Sequence, residues 1–185
     1  MNKITLEDAR EWLRSQGVAP MYSEVKGNHP AIESKQKEIK EFLRKPKNLL
    51  LAGGTGTGKT VALAGIAILW MLRNNQPARF ANVENIYSNW RHASTSGGLG
   101  SYTQALEEAS LLILDDIGQG EWSDAFNRWL YSVVNRRWEW GRPTAASTNM
   151  TSKDLKDMIG DALFSRLASG YILKFEGADR RVNSK

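Results

Sequence analysis

Gly53-Gly54-Thr55-Gly56-Thr57-Gly58-Lys59-Thr60 decides how this chain folds. The octet fits G-x-x-x-x-G-K-[ST], and its surroundings fit too. Asn48-Leu49-Leu50-Leu51-Ala52 ahead of it has the length and apolarity of a buried strand. Val61 to Leu72 behind it has the length of a helix. Strand, glycine turn and helix in that order make a phosphate-binding loop. Glycines let the backbone curl with its N–H groups inward. The helix N-terminus adds unpaired donors and partial positive charge. Gly53, Gly54, Thr55, Gly56, Thr57 and Gly58 are therefore the expected cradle. Lys59 is expected to reach the β- and γ-phosphates, and the Thr60 hydroxyl to ligate Mg²⁺. A glycine turn with no ligand is the plainer reading, and the flanking strand and helix weigh against it.

The rest of the composition is that of an ordinary globular protein. The 185 residues suit one domain, with 41% hydrophobic and 24% charged residues. With no cysteine, a disulfide framework and a thiolate metal site are excluded. His29 and His92 lie too far apart in sequence to form a metal spacing. Met1 to Asp8 lacks the apolar core of a signal peptide. The longest apolar run, residues 61–72, is too short to span a bilayer. A soluble, cytoplasmic protein with no membrane partner is expected. The net charge of +5 attracts polyanions, nucleic acid first, although a nucleotide site and plain solubility also use positive charge.

Patterning predicts alternating elements. Residues 5–16 read as a helix with Thr5 as N-cap and Asp8 three residues on. Residues 17–30 read as a connection. One helix is expected over 31–45, with Ile32, Ile39, Phe42 and Leu43 on its buried side and Pro46 as its end. A second strand over 79–83 leads to a helix over 84–91. A mobile Ser/Gly loop over 93–101 and a short helix over 102–109 follow. Further strands are expected at 111–116, 143–149 and 171–175, with helices near 122–138, 152–158 and 162–168. Such alternation implies an α/β fold with a central, parallel, five-stranded sheet covered by helices on both faces.

Leu111-Leu112-Ile113-Leu114-Asp115-Asp116 is an apolar strand ending in two carboxylates. Buried strands seldom end so for packing reasons, because an unpaired buried charge is costly. A phosphate-bound Mg²⁺ removes that objection. Asp115 would hold the metal shell, and Asp116 would orient or deprotonate a water. A solvated strand-end turn is the alternative. Ser147-Thr148-Asn149 ends another apolar strand. If that strand lies between the other two, the Asn149 amide can hold the water or the γ-phosphate; otherwise it is an ordinary turn.

The order of these motifs, with Asn135-Arg136-Arg137-Trp138-Glu139-Trp140-Gly141-Arg142-Pro143-Thr144 before Ala145-Ala146-Ser147-Thr148-Asn149-Met150, resembles the AAA+ ATPases of the DnaC/DnaI helicase-loader group. The IstB transposition helpers are close relatives of that group. The resemblance covers about residues 40–183. It implies a P-loop AAA+ domain over 46–185 with no full C-terminal lid domain, preceded by a short helical extension over 1–45. It implies slow hydrolysis of ATP with Mg²⁺, self-assembly through AAA+ interfaces, and two partners: single-stranded DNA and a hexameric replicative helicase. Gly160 to Leu167 is similar to the family's arginine-finger segment, so Arg166 would reach the γ-phosphate of a neighbouring subunit. Phe175 to Val182 is similar to the sensor-2 segment, where Arg181 would contact nucleotide in cis, with Arg180 as the fallback. Read from the residues alone, Arg166 is a solvated helix residue and Arg180 and Arg181 form a basic tail. Asp116 stands where many AAA+ ATPases carry Glu, and its shorter reach puts fast turnover in doubt.

Trp90, Trp122, Trp129, Trp138 and Trp140 are interleaved with arginines, which suits single-stranded nucleic acid. Trp129 has core spacing with Phe126 and Val133, and Trp122 can join it. Trp90, Trp138 and Trp140 are then the surface candidates. The resemblance turns the segment after the second strand toward a central channel, which singles out Arg91 for DNA contact; a solvated loop is the alternative. Three rivals stand beside the helicase loader. They are a transposase-helper ATPase, a nucleotide-gated adaptor with little hydrolysis, and a small P-loop kinase, which lacks a recognisable lid.

Overall fold

Each strand among the described residues is five residues long, and the two at the edges of the sheet are the least buried. The computed structural model describes residues 3–177 and 179. It contains β1 (Leu49–Gly53), β2 (Ala78–Asn82), β3 (Leu111–Asp115), β4 (Thr144–Thr148) and β5 (Tyr171–Phe175), in the spatial order β2-β3-β4-β1-β5. Every pairing is parallel. All five residues of β3 and all five of β4 are buried, because helices cover both faces. Thr-Ala-Ala-Ser-Thr in β4 has little intrinsic strand preference. Its central place supplies the burial and the ladder that make it a strand. The edge strand β5 alternates instead, with Leu173 and Phe175 buried and Ile172 and Lys174 exposed.

Alternation along the strands separates two cores. Leu49, Leu51, Leu111, Ile113, Ala145 and Leu173 point to one face. That face is covered by α1 (Leu6–Ser15), α2 (Pro20–Ser23), α3 (Pro30–Glu33), α4 (Gln36–Arg44) and α5 (Lys59–Asn74). Leu50, Leu112, Leu114 and Ala146 point to the other. There lie α6 (Val83–Ser96), α7 (Leu99–Glu108), α8 (Asp124–Glu139), α9 (Ser152–Ile159) and α10 (Asp161–Leu167). The expected sheet and its flanking helices are thus present. Thr5 caps α1 reciprocally: its hydroxyl accepts from the Asp8 N–H at 3.2 Å, and its own N–H donates to Asp8 Oδ2 at 2.8 Å.

Three expectations need correction. The single helix over 31–45 is two, α3 and α4, broken at Ser34 and Lys35. Ala31 is pressed against the glycine loop, where a Cβ on Gly58 would come within 2.6 Å of the Ala31 Cβ. Ile32 sits equally close over Gly65 of α5. Packing pins α3 there, and the chain must turn before α4 can place Ile39, Phe42 and Leu43 in the core. The connection over 17–30 also holds the single turn of α2. The supposed mobile loop over 93–101 is helical on both sides of Gly97. The left-handed Gly97 (φ 80°) closes α6, and α7 opens at Leu99. Ser94 and Thr95 do not break α6, because their hydroxyls bond back to the carbonyls of Trp90 and His92.

Arg137 is the least expected core residue. It is 0% exposed. Its guanidinium donates to the carbonyls of Leu106, Glu107, Ala109 and Pro143, at 2.7–3.0 Å, and to Thr144 Oγ1 at 3.0 Å. These bonds satisfy the carbonyls at the end of α7 and tie α7 and α8 to the start of β4. Burial pushes its pKa down to about 9, so the group stays charged at neutral pH.

Candidate functional site

The strand order decides which motifs meet. β4 lies between β1 and β3, and the register pairs Ala52 with Thr148. The next residues along, Gly53 and Asn149, therefore emerge side by side. Asp115 and Asp116 leave the neighbouring strand at the same end. This is the carboxyl end of a parallel sheet, where α/β folds place ligands.

Lys59 opens α5 and is only 5% exposed. Its ammonium donates to the Gly53 carbonyl at 2.8 Å, the Gly54 carbonyl at 2.7 Å and Asn149 Oδ1 at 2.6 Å. Gly58, the N-cap, has φ 101° and no side chain to cap the helix, so the first N–H groups of α5 meet no side-chain cap. Thr57 folds its hydroxyl back onto the Gly54 carbonyl at 2.8 Å and stiffens the turn. The Asp179 carboxylate lies against Gly56, in the space a Cβ there would need.

The two carboxylates are held differently. Asp115 is 5% exposed, and its Oδ1 accepts from Ser147 Oγ at 2.6 Å and from Thr60 Oγ1 at 3.3 Å. Burial raises its pKa above the ordinary carboxylate value. The Ser147 bond opposes this shift, the neighbouring Asp116 adds to it, and Thr60 and Lys59 oppose it further. Asp116 sits in the left-handed region, with φ 58°, a conformation that Asp tolerates better than most residues. Its N–H donates to Ser147 Oγ at 3.0 Å, and its Oδ1 accepts from Asn149 Nδ2 at 3.2 Å.

Ser147 is the residue that sequence reasoning undervalued. One hydroxyl donates to Asp115 and accepts from the Asp116 backbone, so it ties the Asp115 carboxylate to the turn that carries Asp116. Its signal was its place at the carboxyl end of β4, two residues before Asn149. A cavity of about 440 Å³ opens over this network, lined by Lys59, Thr60, Asp116 and Asn149. Its other wall is Met21, Tyr22 and His29, which carried no sequence signal for a site. The donor set suits a hard cation, because it is all oxygen: Asp115, Asp116 and Thr60. Among the described residues no cluster of three His, Cys, Asp or Glu side chains forms a self-sufficient metal cage. A cation here would have to share its coordination with phosphate oxygens, the habit of Mg²⁺.

Other candidates lie elsewhere. The Arg166 carbonyl accepts from Asn48 Nδ2 at 2.7 Å, just ahead of β1, so Arg166 sits at the opposite end of the sheet from the glycine loop. Arg91 is exposed on α6, with its guanidinium 5.9 Å from the Tyr87 ring centre. Arg181 and its fallback Arg180 lie outside the described residues. Trp90 is corrected from surface candidate to core rim: its ring packs on Tyr87, Phe126 and Trp129. Trp138 and Trp140 remain exposed, at 46% and 56%. Among the described residues no helix is long and apolar enough to cross a membrane.

Known proteins share this fold. The chain is 26% identical over 169 residues to the replicative helicase loader DnaC of Escherichia coli strain K12, covering 88% of this chain and 68% of the relative. A crystal structure of the DnaC helicase loader superposes with a TM-score of 0.73 at 17% identity, over 83% of this chain and 94% of that one. A crystal structure of DnaI gives 0.71 at 21% identity, over 90% and 94%. The fold is therefore that of the P-loop AAA+ domains in these proteins. The sequence-family model for IstB-like ATP binding proteins matches residues 30–170, from α3 through α10 and so across the whole cavity except Met21, Tyr22 and His29. This chain, with its glycine loop, paired aspartates and Asn149 gathered at one end of the sheet, belongs to the IstB-like ATP-binding protein family.

Proposed function

We propose that this protein binds ATP with Mg²⁺, hydrolyses it slowly, and uses nucleotide state to bias its assembly on single-stranded DNA and a hexameric replicative helicase. One observation carries the chemical part. The Asn149 amide bridges Lys59, at 2.6 Å, and Asp116, at 3.2 Å, so the cation, the polar amide and the carboxylate converge on one cavity. The backbone N–H groups of Gly53 to Gly58 cradle the phosphates, and Lys59 turns its donors from the Gly53 and Gly54 carbonyls to the β- and γ-oxygens. Thr60 and Asp115 would hold Mg²⁺, which when bound would neutralise phosphate charge. Asp116 orients the attacking water and accepts its proton, while Asn149 holds that water or the γ-phosphate. The short Asp116 side chain makes turnover slow. Arg166 acts on the nucleotide of a neighbouring copy, Arg181 acts in cis, and Arg91 contacts DNA phosphates.

In this reading residues 1–45 form a helical extension and 46–185 the ATPase domain, and the protein works in the cytoplasm. The names of the DnaC relatives support the helicase as partner. The family's IstB-like description favours a second reading, a transposase helper with the same site and a different partner. Retention experiments on immobilised protein, with and without ATP, separate the two. ATP-dependent retention of the host's replicative helicase is expected. Retention of a transposase and no helicase would select the second reading. ATP turnover indistinguishable from buffer, with binding intact, would leave a nucleotide-gated adaptor.

A further inference from the structure

Arg166 is half-buried near the end of α10, and its guanidinium is held in two ways. Nε donates to Asn135 Oδ1 at 2.9 Å. Its central carbon lies 4.5 Å from the centre of the Trp138 ring. Asn135 and Trp138 are three residues apart on α8, so they stand on one face of that helix. The Asn135 amide is itself oriented, because its Nδ2 donates to Glu139 Oε1 at 2.8 Å and leaves its oxygen for the arginine. With Nε tied and one face stacked, the two terminal amino groups carry no hydrogen bond and no carboxylate partner among the described residues. They form the planar fork that binds phosphate oxygens best.

That fork cannot serve its own chain. Arg166 lies beside the start of β1, and the glycine loop lies beyond its end. At about 3.3 Å per residue, the strand alone separates them by more than an arginine side chain spans. We propose that Asn135 and Trp138 are positioning residues that fix the guanidinium of Arg166 for the nucleotide phosphates of a second copy of this chain. Stacking on the indole holds the guanidinium plane, and the Asn135 bond sets its rotation. The exposed Trp138 is then a support for the arginine rather than a platform for a base.

This inference rests on the reading of Arg166 as acting in trans, and the experiment keeps the two apart. Steady-state ATPase kinetics of the full chain under assembling conditions are compared for Arg166→Ala, Trp138→Leu, Trp138→Phe, Asn135→Ala and the Arg166→Ala/Trp138→Leu double variant. Trp138→Leu and Asn135→Ala are each expected to lower kcat about tenfold with KM for ATP unchanged. Trp138→Phe should recover most of the loss, and the double variant should be no slower than Arg166→Ala. Parental kcat in Trp138→Leu and Asn135→Ala, beside an inactive Arg166→Ala, overturns the positioning role and leaves the trans reading standing. A Trp138→Leu loss that persists in the Arg166→Ala background marks a structural role and also overturns it. Parental kcat in Arg166→Ala overturns the trans reading, and this inference with it.

Discussion

Two buried cations sit at opposite ends of the same sheet, and both are caged largely by backbone carbonyls. Lys59, at the carboxyl ends of the strands, holds Gly53, Gly54 and Asn149. Arg137, at the amino ends, holds four carbonyls and the Thr144 hydroxyl. The difference is in what surrounds the cage. Lys59 lines a cavity of about 440 Å³, where a phosphate can compete with the Gly53, Gly54 and Asn149 oxygens for its donors. Arg137 joins three fixed elements and is fully buried among them. A buried cation is thus structural or functional according to whether a competing acceptor can reach it, not according to its burial.

The comparison can be broken most forcefully at Arg137. Replacing it by Leu leaves the last carbonyls of α7 without a donor. Such a loss in a buried polar network costs about 3–5 kcal/mol. Urea unfolding should show a fall of that size, and the variant that remains folded should bind ATP as the parent does. A loss below about 1 kcal/mol would mean that the cage is dispensable.

Lys59→Ala should invert that pattern. Nucleotide affinity should fall by about a hundredfold or more, roughly 2.7 kcal/mol, with stability nearly unchanged. Titration with a fluorescent ATP analogue measures the first and urea unfolding the second. Parental affinity would remove the phosphate-loop role. Asp116→Asn tests the next residue along the network. The Asn149 bond to Oδ1 can persist, so ATP binding should survive while kcat drops by about a hundredfold, the usual scale for a lost general base. Equal turnover in parent and variant would send Asp116 back to a strand-end turn.

Asp115→Asn has the smallest effect and sharpens the contrast through pH. The folded-state pKa of Asp115 is raised, so its contribution to stability is present below the unfolded value of 3.8 and is lost as pH rises through the folded value. At neutral pH, well above the unfolded value, the raised pKa therefore means that Asp115 destabilises the chain when no cation offsets it. Asp115→Asn should melt a few degrees higher than the parent at pH 7 in chelator, with the gap closing toward pH 4. The Mg²⁺-dependent part of ATP affinity should fall in the same variant. A gap independent of pH would place the effect in packing rather than charge.

Much of this was legible from local pattern. Gly53–Thr60 declared itself because its chemistry is contiguous. The strands β1, β3 and β5 declared themselves as largely apolar runs bounded by turn residues. The break between α3 and α4 was not legible, because Ile32, Ile39, Phe42 and Leu43 keep helical spacing across it. Only contact with Gly58 and Gly65, each more than twenty residues away, forces the chain to turn. Trp90 and Arg137 misled for a related reason: an aromatic or a cation reads alike on a surface and in a core until its neighbours are known.

By itself, the sequence determined the glycine turn between strand and helix, the alternation of strands and helices, and the carboxylates at the end of β3, since each is encoded within a few adjacent residues. The tertiary structure alone decided that β4 falls between β1 and β3. That placement brings Asn149 to Lys59 across 90 residues and Ser147 between Asp115 and Asp116 across just over 30. It also decided that Arg137 is sealed and that Arg166 faces away from its own loop. Strand order and helix packing are settled by the burial of whole faces against one another, a sum over distant residues that no local window contains.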